Sequence, residues 1–330
     1  MKWRIITGLL ICCVLLSVAV VIGYPLFRLY KVPLIDKRHA PVLLRLPKAT
    51  SALSFAHQLK SRHLIPSEQA FLSLIKIQGV SQQLKAGIYE IQPGESAAQL
   101  LHRVVLGEVL TFFFQIIPGT TEAVVSARLE KAPYLTYHAT DWLLIGLGYP
   151  SAEGLLLADT YIYEAGASSK EVLSNAHKHL QQTLENYWVN RAPGLPYQTA
   201  YEMLIAASIL EKEASIPQEK RLISGVIVNR LRKNMPLQMD PTVIYALGVH
   251  YQGVLTRDDL QIESPYNTYR HRGLPPTPIT MVGKEAIDAA AHPEPTDYLY
   301  FVATGEGRHH FSVNYDDQKK AISRYLGSRK

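Results

Sequence analysis

From residue 43 onward, apolar and polar positions form a short pattern that recurs three times. Leu43-Leu44-Arg45-Leu46 leads through Pro47-Lys48-Ala49-Thr50 into a helical period at Leu53, Phe55, Ala56 and Leu59. Tyr89-Glu90-Ile91-Gln92 leads through Pro93-Gly94-Glu95-Ser96 into Ala97, Leu100, Leu101 and Val104. Phe113-Phe114-Gln115-Ile116-Ile117 leads through Pro118-Gly119-Thr120-Thr121 into Ala123, Val124 and Leu129. Each stretch reads as a strand, a proline turn, a hydroxyl residue near a helix start and an amphipathic helix. Read alone, the three also fit ordinary β-turn-α units, because such turns are common. Farther on, Val172, Leu173, Ala176, Leu180 and Leu184 predict a helix over 168–189, with Ser168 and Glu171 spaced as a capping box. Residues 201–213 predict a helix that is apolar nearly all round, through Met203, Leu204, Ile205, Ala206, Ala207, Ile209 and Leu210. Such a helix is buried. Ser215-Ile216-Pro217-Gln218 resembles a capping box opening the next helix, and residues 298–302 and 310–313 bracket a Gly-rich turn as a hairpin.

The N-terminus follows another pattern. After Met1-Lys2-Trp3-Arg4 the chain is uncharged from Ile5 to Phe27. About 20 such residues cross the ~30 Å hydrocarbon core as a helix. Ser17-Val18-Ala19 resembles a signal-peptide cleavage site, but the apolar run continues well past Ala19, which favours an uncleaved anchor over residues 5–27. Charge leaves the orientation open, since Lys2 and Arg4 precede the span while Arg28, Lys31, Lys37 and Arg38 follow it. Residues 28–42 have no clear period and carry Pro33 and Pro41, as a stem would.

Composition narrows the function classes. The 330 residues are 47% hydrophobic and 19% charged, too apolar and mixed for a disordered chain, and the length suggests two domains. A net charge of +6, spread along the chain, is a poor fit to nucleic acid. Cys12 and Cys13 are adjacent in the apolar run, so they offer neither a disulfide framework nor a zinc site. His177 and His179 diverge on a helix, His309-His310 is a hairpin dipeptide, and no Walker-type loop occurs. The sequence therefore predicts no metal and no cofactor.

The candidate chemistry gathers after the apolar helix, which ends in Glu211-Lys212-Glu213. At about 100° per residue the two glutamates point roughly 200° apart, so they cannot form an acid/base pair in one cleft. A carboxyl on an apolar face has a raised pKa, as a general acid requires. The spacing does not choose between Glu211 and Glu213, and a charged end is also how a buried helix leaves a core. Asp240-Pro241 reads first as a helix cap. Tyr266-Asn267-Thr268-Tyr269 offers ring faces and hydrogen-bonding groups suited to a sugar polymer, or to a packed loop.

Together these segments resemble the MltG (YceG-like) endolytic murein transglycosylases. The resemblance runs through 206–213, Val228-Asn229-Arg230-Leu231, 237–245, Tyr266-Asn267-Thr268-Tyr269 with Gly273-Leu274-Pro275-Pro276, and 290–293 with 298–302, in the family's order and spacing. It implies an α+β protein. Residues 1–4 would be cytoplasmic, followed by the anchor (5–27), the stem (28–42), a small LysM-like module (43–117) and a YceG-like catalytic domain (118–330) outside the bacterial inner membrane. It implies Glu213 as the catalytic acid, with Asn229, Gln238, Asp240, Thr242, Tyr266, Asn267 and Tyr269 as substrate-cleft residues. Glu153-Gly154-Leu155-Leu156-Leu157-Ala158-Asp159-Thr160-Tyr161 departs from the family pattern in one place, with Ala158 where proline is usual. The implied reaction cuts the MurNAc–GlcNAc bond of nascent peptidoglycan without water, leaves 1,6-anhydroMurNAc ends and so ends strand elongation. One carboxyl serves twice, whereas an ordinary glycosidase uses two. A muramidase using Asp240 to activate water, and a non-catalytic wall-binding scaffold for peptidoglycan synthases, are the competing readings.

Overall fold

The structure is a computed structural model and describes residues 23–325 apart from Ser215 and Glu306. Most of the apolar stretch expected to be an anchor, residues 5–22, lies outside the described residues. Among those that are described, no helix is long and apolar enough to cross a membrane. By its contacts the chain divides into two compact units, one up to residue 112 together with 164–167, the other comprising 113–163 and 168 onward. The sequence reading drew its line at 117/118, after the third strand rather than within it.

In the first unit, α1 is helical over 23–31 of the described residues. There follow β1 (Val42–Leu46), α2 (Ala52–Ser61), α3 (Glu68–Ile77), β2 (Gly87–Ile91) and α4 (Ala97–Leu106). β1 and β2 pair antiparallel, with Leu44 opposite Tyr89. Alternation along β1 sends Leu44 and Leu46 inward and leaves Arg45 exposed. Phe55 of α2 and Phe71 of α3 meet edge to face at 5.2 Å within this core. The hydroxyl residues do the capping. Ser51 accepts the Ser54 N–H, Ser67 accepts the Ala70 N–H, and Ser96 with Gln99 forms a complete capping box. The stretch expected to be a stem is drawn into this unit. Leu29 and Leu34 are buried in its core, and Pro33 bridges to Ser96.

The second unit takes up the third strand-turn-helix. β3 (Thr111–Gln115) leads to α5 (Glu122–Glu130) and α6 (Asp141–Ile145), and β3 pairs with β4 (Thr160–Glu164). Then come α7 (Ser169–Val189), α8 (Ala200–Glu213), α9 (Pro217–Arg232), α10 (Asp240–Leu247), α11 (Lys284–Ala291), the hairpin β5 (Tyr300–Gly305) and β6 (Arg308–Ser312), and α12 (Tyr315–Tyr325). α8 is the centre of this unit. Residues 203–210 are all buried, and α7, α9, α10 and α11 pack around them. One expected cap is not made, and the other was expected of Ser215, which lies outside the described residues. α7 begins after Ser168 without a side-chain cap bond, and α9 starts at Pro217 with Ile216, an apolar residue, in the capping position. Ala158 donates its N–H to the Val282 carbonyl at 2.8 Å, a bond that proline could not make.

Candidate active site

The buried α8 delivers two glutamates to opposite faces, and their surroundings differ. Glu211 is tied down. Lys220 donates to its Oε1 at 2.7 Å, the Gly283 N–H donates to its Oε2 at 2.8 Å, and both side chains of the ion pair are 7% exposed. Glu213, the last residue of the helix, is half-buried, and among the described residues nothing hydrogen-bonds its carboxyl. Burial, followed by the charge of Asp240, pushes its pKa up to about 8. Packing thus separates the two glutamates that spacing does not: Glu211 is paired, and Glu213 has no hydrogen-bond partner among the described residues and holds its proton at neutral pH.

Asp240 is not the cap its Asp-Pro context suggests. Met239 occupies the capping position of α10, and Asp240 is the first helical residue, without a cap bond. Its exposed carboxylate instead accepts the Tyr269 hydroxyl at 2.5 Å. Burial, and then this bond, raise the Tyr269 pKa far above the ordinary phenol value, so the phenol stays a donor. Glu213 and Arg230 are also within electrostatic reach of Tyr269. Glu213, Asp240 and Tyr269 are therefore brought together.

Gln238 joins them through Arg230. The buried Arg230 donates its Nη1 to the carbonyls of Pro236 and Leu237 and to Gln238 Oε1, at 2.8–3.0 Å, and its Nε to the Leu299 carbonyl at 2.6 Å. The Tyr300 ring lies 5.0 Å from its guanidinium carbon. Burial lowers the Arg230 pKa from its ordinary value. Gln238 adopts a left-handed backbone, φ 53°, held by its own N–H donating to the Thr268 carbonyl at 3.0 Å.

The other expected cleft residues are engaged elsewhere. Thr242 is fully buried. Its hydroxyl lies 2.7 Å from the Met239 carbonyl, which accepts it, and 2.9 Å from the Thr268 hydroxyl. Asn267 is also fully buried, and its amide spans the carbonyls of Leu260 and Ile262 while its oxygen accepts the Tyr269 N–H. Asn229 donates to the carbonyls of Thr296 and Tyr298. The Tyr266 hydroxyl pairs with Thr277 at 2.8 Å. Thr242 and Asn267 shape the backbone that presents Asp240 and Tyr269, and Asn229 holds the chain before the hairpin. The sequence places Arg230 and Thr268 in motifs without a role of their own and does not point to Lys220. Two of these carry a usable signal: Lys220 and Arg230 lie on the side of α9 that carries Ile223, Val226 and Ile227, where an unpaired charge would not be tolerated.

Comparison with known proteins follows the same lines. The model of the YceG-like family matches residues 44–324. The chain is 30% identical over 313 residues to the endolytic murein transglycosylase of Bacillus subtilis (strain 168), covering 87% of this chain and 86% of that one. It is 30% identical over 183 residues to the protein of the same name from Streptococcus pneumoniae serotype 2, covering 54% of this chain and 33% of the relative. The crystal structure of a yceG-like protein from Listeria monocytogenes superimposes with a TM-score of 0.54 at 28% identity, covering 86% of this chain and 99% of that chain.

Proposed function

The chain belongs to the YceG-like family, and we propose that it is an endolytic murein transglycosylase with the carboxyl group of Glu213 as its acid. The observation that carries this reading is the contrast on α8: Glu211 is consumed by Lys220 and Gly283, while Glu213 keeps its proton up to about pH 8 beside the carboxylate of Asp240. A protonated Glu213 gives its proton to the bridging oxygen as the MurNAc C1–O bond breaks. The resulting carboxylate then takes the proton of the MurNAc 6-hydroxyl as that oxygen bonds to C1. The products are a 1,6-anhydro end and a free 4-hydroxyl. No water is consumed, and Glu213 ends as it began. Asp240, with Tyr269 on its carboxylate, supplies negative charge where positive charge develops at the sugar.

One observation favours a second reading. Asp240 is not a cap, and an exposed carboxylate with only one oxygen on the Tyr269 hydroxyl, close to an acid, is what a hydrolase needs to activate water. The two readings differ in product. Digestion of purified glycan strands with the parent protein should give ends lighter by one water than reducing ends. Reducing ends from the parent, together with a folded but inactive Asp240→Asn, would establish the muramidase instead.

The reading extends to the rest of the chain. The uncharged run over 5–27 supports a single-pass anchor in the inner membrane, with the catalytic unit outside, where murein lies. The small unit of two antiparallel strands and serine-capped helices supports a LysM-like, glycan-holding module. Peptidoglycan synthases are the partners that a strand-ending enzyme would meet.

A further inference from the structure

One buried acid in the second unit is not used by the reaction. Glu153 is 5% exposed. Its Oε1 accepts the backbone N–H of Glu122 at 3.0 Å, at the first residue of α5, whose capping residue Thr121 makes no side-chain bond. Its Oε2 accepts the Tyr245 hydroxyl at 3.3 Å. Tyr245 lies on α10, the helix that begins with Asp240. Its ring meets that of Tyr266 at 4.9 Å, and Tyr266 is fastened in turn to Thr277. The backbone beside the acid is equally constrained. Gly154 has φ +74°, and a Cβ there would come within 2.3 Å of Pro278 Cβ.

We propose that Glu153 is a positioning residue for the reaction: through Tyr245 it fastens α10 to the start of α5, and so keeps Asp240 and Tyr269 in register with Glu213. The proposal rests on the transglycosylase reading. As a carboxylate, Glu153 accepts both bonds, and each is charge-assisted. Once protonated it must turn one oxygen into a donor, and the grip on Tyr245 weakens. Three titratable groups face it: Glu122 from α5, Tyr245 from α10, and Tyr266 behind Tyr245. No ion pair among the described residues neutralises it. Burial, with a further push from Glu122, raises the Glu153 pKa to about 7. The hold on α10 therefore tightens as pH rises through about 7, while Glu213 loses its proton about one unit higher.

The test compares the full chain with Glu153→Gln and Tyr245→Phe on short soluble glycan strands, with kcat and KM measured across pH. The parent kcat should rise through about pH 7 and fall above about 8. Glu153→Gln keeps the shape but carries no charge. It should lose the acid limb, with kcat lower by on the order of tenfold to a hundredfold at its optimum and KM little changed. Tyr245→Phe should do the same, and the double variant should be no worse than either single one. An acid limb retained in Glu153→Gln, or variants that lower only the melting temperature, would overturn the proposal. Product ends decide the underlying reading separately: reducing ends from the parent would remove the transglycosylase, and the acid limb would still decide whether Glu153 positions the site.

Discussion

Two faces of one helix turn show how packing assigns roles to identical side chains. On one face of α8, Glu211 meets a buried ammonium and a backbone N–H and becomes part of the scaffold. On the other, two residues later, burial and the like charge of Asp240 hold the proton on Glu213. Their chemistry differs because their partners differ.

The sharpest way to break this comparison is to neutralise each glutamate in turn. Glu213→Gln should cost at least the 10²–10⁴-fold that loss of a general acid costs, measured as anhydro ends released per minute, with the circular dichroism unchanged. Equal losses in Glu211→Gln and Glu213→Gln, both in folded protein, would erase the distinction. The second effect is on stability. Lys220→Met leaves the Glu211 carboxylate buried without its cation and should lower unfolding free energy by about 3–5 kcal/mol in denaturant titration. Adding Glu211→Met to it should restore most of that loss, because an apolar pair can replace a buried ion pair.

The smallest effect sharpens the contrast by pH. Glu213 has a folded pKa of about 8 against an ordinary 4.5, so folding favours its protonated form. That contribution to stability is complete below about pH 4.5 and is lost as pH rises through about 8. Glu213→Gln, which cannot ionise, should match the parent in melting temperature at pH 4.5. It should gain on the parent as pH rises to 8, then run parallel to it. A constant gap between the two melting curves from pH 4.5 to 9 would place the proton elsewhere.

How much of this was legible in the sequence depends on the range of the interaction. The strands of the repeats, the turns, the buried α8 and the hairpin follow from local period and turn chemistry, and they are found. β4, α6, α11 and α12 were not read from the sequence, and neither was α3. α3 carries Phe71, Leu74 and Ile75 at helical spacing, but it lies between two repeats and not after a Pro-Gly turn. The Asp240 cap was a local inference overridden by a tyrosine hydroxyl 29 residues away. Thr242 and Asn267 have side chains equally able to hold a sugar or a backbone carbonyl, and only the folded chain shows their carbonyl partners. Glu211 and Glu213 could not be separated because Lys220 and Gly283 reach Glu211 through space.

The direction of the chain adds one consequence. Glu213 closes α8 and Asp240 opens α10. Peptide dipoles sum along a helix to a partial negative charge at its C-terminal end and a partial positive charge at its N-terminal end. The acid therefore stands where the helix field resists a negative charge, and its neighbour stands where the field welcomes one. Reversing α8 would leave every side chain in the sequence unchanged and set the field against the proton's place on Glu213, and reversing α10 would set it against the charge on Asp240. The polarity of the site is written into the sense in which the backbone runs.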